Sequence, residues 1–281
     1  MAVDIGAVGV WAAPQRWQGI DLTEAVAELD RLGYGAFWLG GSPSGDLGLA
    51  EALLAGSARI PVATGIVNLW DTGTAELAHA FHRVDGNHPG RFVLGIGAGH
   101  REAAGAGPYQ RLTEFLDGFD ERGVPAGQRV LAALGPRMLA LSAGRAAGAH
   151  PYLVPPEHTR RAREILGPGA LLAPEQKVLL ETDPDRARAV ARCAVRPYLA
   201  LPDYTRNLRR LGYADGDLAG AGSDRLVDDL VAWGDERAVR DRVAEHLRAG
   251  ADHVAIQVLN AGADRLAALG RLAPALLDLR R

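Results

Sequence analysis

One junction recurs along the chain and limits what it can become: a helix ends, a glycine follows, and an apolar strand begins. It is plain in AVAELDRLGYGAFWLG (25–40), FHRVDGNHPGRFVLGIG (81–97), MLALSAGRAAGAHPYLV (138–154) and VAEHLRAGADHVAIQVL (243–259). Glycine suits the left-handed turn that closes a helix because it has no Cβ to strain there. The run after it is apolar at consecutive positions, the pattern of a parallel strand covered on both faces. Helix and strand alternating in this way make βα units. The helix beginning at IDLTE carries its own start signal, with Asp21 as N-cap, Glu24 as capping-box partner, and Val26, Leu29 and Leu32 on one face.

Eight strands are predicted, near 4–10, 36–39, 61–67, 91–96, 129–134, 149–154, 176–181 and 253–258, with a last helix over 264–279. Helical patterns separate every pair. The expected fold class is therefore α/β, a (β/α)8 TIM barrel forming one domain over 1–281, with an open doubly wound sheet as the alternative. Roughly seventy residues separate the seventh and eighth strands, more than one helix requires. RPYLALPDYTRNLRRLGY and SDRLVDDLVAWG in that interval predict a helical insertion lying over the barrel mouth.

With 281 residues, 48% of them hydrophobic, the chain can bury a large core. The net charge is −3 with both signs interspersed, which favours small-molecule partners over nucleic acid or a membrane surface. No leader pattern opens the sequence and no apolar run reaches the length of a membrane span, so a cytoplasmic location is expected. The only cysteine, Cys193, leaves no internal disulfide; it falls in a helical pattern and is expected to be buried. Lys177 is the only lysine among many arginines, a bias that by itself implies no chemistry.

RFVLGIGAGH (91–100) invites comparison with a dinucleotide fingerprint, a strand running into spaced glycines. The spacing fails. After Gly95 and Gly97 the motif needs a small residue where His100 stands, and Glu114 and Asp117 lie in a helical pattern rather than at a strand end. GGSPSG (40–45) lacks the second glycine of a nucleophile elbow, and Lys177 lies in a strand pattern rather than a phosphate loop.

In a barrel the active site is built from the residues at the C-terminal end of each strand. Those positions here are glycines, aromatic rings and amides, without paired carboxylates for glycosidase work and without a metal set; His79, His82, His88 and His246 belong to helices outside the mouth. A mouth so poor in acids, bases and nucleophiles suggests that a bound cofactor carries the chemistry. GPRM (135–138) turns a strand into a helix and leaves amides where a phosphate can rest, with Arg137 adding charge. An ordinary βα turn has the same sequence.

The segments LGYGAFWLGGSPSGDL, VATGIVNLWD, NHPGRFVLGIGAGH, LAALGPRMLALSAGRAAGAHPYLVPPEHTRRAREILG, LLAPEQKVLLETDP and VAWGDERAVRDRVAEHLRAGADHVAIQVL, in this order, resemble the bacterial luciferase-like superfamily, and within it the F420-dependent oxidoreductases. The resemblance implies a barrel with the deazaflavin coenzyme F420 across its mouth and hydride transfer to or from a small or medium organic substrate. It implies a cis non-proline peptide at Gly65 and Ile66, a phosphate cradle at Gly135, Pro136, Arg137 and Met138, and ring contacts from Gly40, Asn68, Gly97 and Gly99. His100 is the expected proton donor or acceptor, and His150 and Tyr152 are expected near the phosphate or tail. Trp11, Trp70 and Tyr204, with Tyr213 and Trp233, are expected to line the substrate space. His158, Arg160, Arg161 and Arg163 would favour an acidic tail. The acidic residue and histidine that several F420 enzymes carry after the second strand are replaced by Gly40 and Gly41. The alternatives are an FMN-dependent monooxygenase of the same fold, or a barrel that binds cofactor without turnover. Homodimers are common in the resembled family.

Overall fold

Apolar positions on consecutive residues produce strands buried on both faces, and the computed structural model, which describes residues 3–99, 107–260 and 264–280, arranges them as one parallel sheet. In chain order the first half is β1 (Val8–Ala12), α1 (Leu22–Leu32), β2 (Phe37–Gly40), α2 (Gly48–Ala55), β3 (Val62–Gly65), β4 (Val67–Asn68), α3 (Thr74–Asn87), β5 (Phe92–Gly97), α4 (Pro108–Glu121), β6 (Arg129–Leu131), α5 (Pro136–Arg145) and β7 (Gly148–Ala149). The second half is α6 (Pro156–Leu166), β8 (Leu171–Leu172), β9 (Glu175–Leu180), α7 (Pro184–Leu199), α8 (Pro202–Arg210), α9 (Asp215–Leu218), α10 (Asp224–Leu230), β10 (Val231–Gly234), α11 (Glu236–Arg248), β11 (Val254–Val258) and α12 (Asp264–Leu277).

The sheet closes. β1 pairs β2 on one side and β11 on the other, β11 pairs β9, and the run from β8 to β9 completes the ring by pairing β7. Across the break at Ala173 and Pro174 the ladder continues, with Ala173 donating to Ala149 O (2.9 Å), Glu175 to Pro151 O (2.8 Å) and Ala255 to Pro174 O (2.9 Å). This is the expected barrel rather than an open sheet.

Side chains alternate in and out as the two-residue period requires. Val10, Phe37, Leu39, Val62 and Ile256 point out into the layer shared with the helices. Trp11, Ala36, Trp38, Ala63, Val93, Val130 and Ala255 fill the inside. At the start of α1, Asp21 accepts from the amides of Thr23 and Glu24 (2.8 and 3.2 Å), and Gly33 closes the helix at φ +91°. Gly90 and Gly250 take the same left-handed role in two other junctions, at φ +70° and +102°. In the third the glycine serves another purpose: a Cβ on Gly148 would collide with the Leu171 backbone of the adjoining strand.

Boundaries move where side chains or prolines intervene. The first strand begins at Val8 rather than near 4, since Asp4 Oδ1 accepts from Gly6 N (3.0 Å) in a turn. Where strand was predicted over 149–154, the regular strand is Gly148–Ala149; beyond it Pro151 still accepts a ladder bond but has no N–H to donate, and Leu153 turns to φ +56°. The edge of β9 left open there is taken by β10, a segment whose apolar sequence VAWG was expected to be helical. Such short apolar runs do not distinguish helix from strand by period. The insertion is otherwise helical as expected, with its own apolar core around Tyr204, Leu208, Tyr213 and Leu226. Cys193 is exposed rather than buried, because α7 turns Ala187, Ala191, Ala194 and Val195 inward. Among the described residues no helix is long and apolar enough to cross a membrane.

One buried group makes the fold acid-sensitive. His246 of α11 is fully buried, its Nε2–H donating to Gln176 Oε1 and its Nδ1 accepting from the Thr159 hydroxyl, both at 2.8 Å. Both ring nitrogens are thus committed in the neutral form, and burial lowers its pKa from 6.5 to about 3. Below pH 6.5 the unfolded chain takes up a proton that the folded chain excludes. The associated stability is therefore present above pH 6.5 and lost as pH falls toward 3, by about 1.4 kcal/mol per pH unit. Urea unfolding of His246→Asn from pH 7 to 4.5 should show the slope reduced by about one proton relative to wild type; an unchanged slope would contradict it.

Candidate active site

The inward residues form rungs. Trp11, Trp38, Ala63 and Val93 stand opposite one another in successive strands, and Trp11 is level with Gln257 and Lys177 through the registers of β1, β11 and β9. Beneath this rung the polar atoms are satisfied. Trp38 Nε1–H donates to His253 Nε2 (2.9 Å), so the imidazole proton lies on Nδ1, which donates to Gly6 O (2.8 Å). The Trp38 indole also stacks on His150, centroids 4.2 Å apart.

His150 is 2% exposed, and its Nδ1–H donates to Ala173 O (2.7 Å). Burial lowers its pKa to about 4, so Nε2 carries a lone pair, and that atom has no hydrogen-bond partner among the described residues. Trp11 Nε1–H is buried and unpartnered as well. A Cβ on Gly65 would lie 2.7 Å from Trp11 Nε1 and 3.2 Å from His150 Nε2, so one donor and one acceptor face the same glycine. Leaving such groups unmade in a dry interior costs about 1–3 kcal/mol each, so the spot favours a polar guest atom. The peptide between Gly65 and Ile66 is cis.

The other expected glycines have protein neighbours. A side chain on Gly40 would enter the Trp11 ring, one on Gly97 would meet Ala132 Cβ (2.8 Å), and Gly99 abuts the Asn68 amide. Asn68 itself donates to Asp71 and accepts from Trp70 N, which fixes the loop after β4. His100 lies outside the described residues.

Across the mouth from Gly65, sequence reasoning passed over a cluster. Lys177 Nζ lies 3.0 Å from Glu175 Oε1, both buried inside the barrel, and Glu175 Oε2 accepts from Leu153 N (3.1 Å). Burial pushes the Glu175 pKa up and the Lys177 pKa down, each opposed by the partner's charge. Lys177 Nζ also stands 3.9 Å from the Tyr152 ring centroid and 5.5 Å from that of Tyr198. Tyr152 Oη donates to Gln257 Oε1 (3.0 Å) and is 3.0 Å from Tyr198 Oη. Burial raises the Tyr152 pKa well above the phenol value, so it stays protonated. Trp11, Tyr152, Tyr198 and Tyr204 then run ring against ring, at 5.2, 5.3 and 5.1 Å, from the barrel into the insertion. The signal for the pair was the alternation E-Q-K inside a strand of an otherwise lysine-free chain.

Trp70, Tyr213 and Trp233 are tied elsewhere: Trp70 Nε1 to Ala98 O (2.6 Å), Tyr213 Oη to Asp229 (2.7 Å) and Trp233 Nε1 to Asp228 (2.8 Å). Arg160 and Arg161 pair with Glu157, and Arg163 with Asp252. His158 Nε2–H donates to Leu134 O (2.9 Å), steadying the approach to Gly135.

Gly135 is the N-cap of α5, Pro136 is its first residue, and no side chain caps it. The amides of Arg137 and Met138 therefore open a helix whose positive end is unopposed from within. Arg137 lies over the Tyr109 ring (4.5 Å to the centroid). A residue the sequence did not single out stands at this point: Arg210, from the last turn of α8, brings Nη1 to 3.1 Å from where a Gly135 Cβ would be. The insertion and the GPRM turn thus form one cationic corner.

No family model and no curated protein matches the sequence. Solved structures do. An F420-dependent secondary alcohol dehydrogenase in complex with an F420-acetone adduct superposes at a TM-score of 0.74 and 13% identity, over 98% of this chain and 99% of its own. A coenzyme F420 dependent tetrahydromethanopterin reductase from Methanopyrus kandleri gives 0.73 and 16% over the whole of both chains. The chain has their fold. The oxygenating constituent of 3,6-diketocamphane monooxygenase from Pseudomonas putida, a type II Baeyer-Villiger monooxygenase in complex with FMN, shares it at 0.67 and 13%, over 96% of this chain and 95% of its own. Among the described residues no cluster of histidine, cysteine or carboxylate side chains is placed to hold a metal ion.

Proposed function

We propose that the chain is an oxidoreductase that binds the deazaflavin F420 across the barrel mouth and acts on a small or medium organic substrate. The observation that carries this reading is the uncapped start of α5 under Arg210, a cationic corner at the rim of the shared barrel where a phosphate can accept from backbone amides. The unpartnered Trp11 Nε1 and His150 Nε2 at Gly65 fit a ring with polar edges. The bound group would supply the hydride donor or acceptor. The chain would bind its phosphate through the Arg137 and Met138 amides and Arg210, exclude water with the aromatic run, and keep a protonated phenol at Tyr152. His100 is the proposed proton group beside the ring. Similarity to an F420 secondary alcohol dehydrogenase supports the deazaflavin choice, and similarity to an FMN complex supports the flavin alternative.

Fluorescence titration with F420 and with FMN tests the reading. Saturable F420 binding is expected. Arg210→Ala should weaken it by about 10-fold or more, the worth of a charge-assisted contact. Tight FMN binding without F420 binding would replace the proposal by the monooxygenase reading, and binding of neither would end both.

A further inference from the structure

Arg16 and Arg265 meet where the protein's own electrostatics is unfavourable. A small cavity of about 30 Å³ lies at the C-terminal ends of β1 and β11, lined by both arginines together with Trp17 and Gln257. Arg265 is half-buried in the first turn of α12, where the helix dipole disfavours a cation. Burial, and then repulsion from Arg16, push its pKa down. The charge of Arg16 also reaches the buried Lys177. Glu175 is committed to Lys177 and Glu236 to Arg271, and among the described residues neither Arg16 nor Arg265 has a carboxylate partner. A partly desolvated cation, at the wrong end of a helix and facing a second cation, costs stability unless an anion joins it.

We propose that this cavity anchors an anionic group of the organic substrate, a carboxylate or a phosphate. Calling that ligand a substrate rests on the oxidoreductase reading; the anion site itself does not. Gln257 lines the cavity and also accepts the Tyr152 hydroxyl, so a ligand held here by its charge would extend its body toward the Trp11, Tyr152 and Tyr198 rings. The expected class is small organic acids or phosphate esters with an apolar or planar body. The site is separate from the α5 start, which holds Arg210 rather than Arg16 or Arg265.

The test uses the full chain without cofactor, titrated with sodium phosphate and with sodium acetate at constant ionic strength and followed by calorimetry and by the unfolding midpoint. Phosphate also fits the α5 start, so the titrations are run in the Arg210→Ala background: saturable binding of at least one anion is expected there, weakened about 10-fold or more when Arg16→Gln or Arg265→Gln is added. The stronger of the two anions identifies the anchored group. In anion-free buffer Arg265→Gln should raise the midpoint, because it removes the repelled cation; an arginine with a merely structural role would lower it. Anion affinity unchanged by both glutamine substitutions, or no saturable anion binding in the Arg210→Ala background, would overturn the proposal. Anion binding through Arg265 in a protein that takes neither F420 nor FMN would preserve the site and remove only the oxidoreductase reading.

Discussion

Gly95→Ala should leave little folded protein, or a protein destabilised by about 3 kcal/mol or more, at the upper end of what overpacking costs. The reason is local. Ala63 pairs with Val93 and Val67 with Ile96, so three residues of one strand span the space of two in β5. At this bulge the Thr64 hydroxyl donates to Gly95 O and accepts from Gly95 N, both at 2.8 Å, replacing ladder bonds that the bulge removes. A Cβ on Gly95 would fall inside the Thr64 carbonyl oxygen, and backbone in a closed ring has no room to yield. Any shift that relieves the clash also stretches the two Thr64 bonds. Gly270→Ala is the control, since nothing lies within 4 Å of its absent Cβ in α12. It should gain about 0.5–1 kcal/mol from helix propensity. Urea unfolding of both variants checks the pair, and a Gly95→Ala protein within about 1 kcal/mol of wild type would contradict the steric account.

Lys177→Met should cost about 3–5 kcal/mol, because it leaves Glu175 as an uncompensated carboxylate inside the barrel. Glu175 would keep only the Leu153 amide. The double variant Glu175→Gln with Lys177→Met should recover most of that loss, since replacing both charges removes the desolvation penalty together with the attraction. Equilibrium unfolding of the two singles and the double gives the coupling. Additive losses would mean that the pair does not act as a unit. With F420 present, the same Lys177 variant would also test whether the charge beside the Tyr152 ring matters to the mouth.

Much of the architecture was legible because it rests on local chemistry. The helix, glycine and strand junctions announced parallel βα units, and Gly33, Gly90 and Gly250 occupy the left-handed turns that this pattern requires. Asp21 caps α1 as its position suggested. Legibility failed where neighbours decide. The VAWG segment pairs with β9 only because the chain after β7 leaves that edge open, and Cys193 is exposed only because α7 packs its alanine stripe inward.

Around the candidate site the division is sharper. The GPRM turn could be read from glycine and proline at a helix start, and the glycines at the strand ends from their spacing. By itself the sequence determined a barrel of eight βα units with an inserted helical segment, because periodicity and turn chemistry act over a few residues. Only the tertiary structure decided that Arg210 reaches Gly135, that Arg16 faces Arg265, that Glu175 and Lys177 are sealed inside the barrel, and that Trp11 and His150 turn unpartnered atoms toward Gly65. Charge pairing and burial depend on which residues, far apart in the chain, the closure of the sheet brings within a few ångströms.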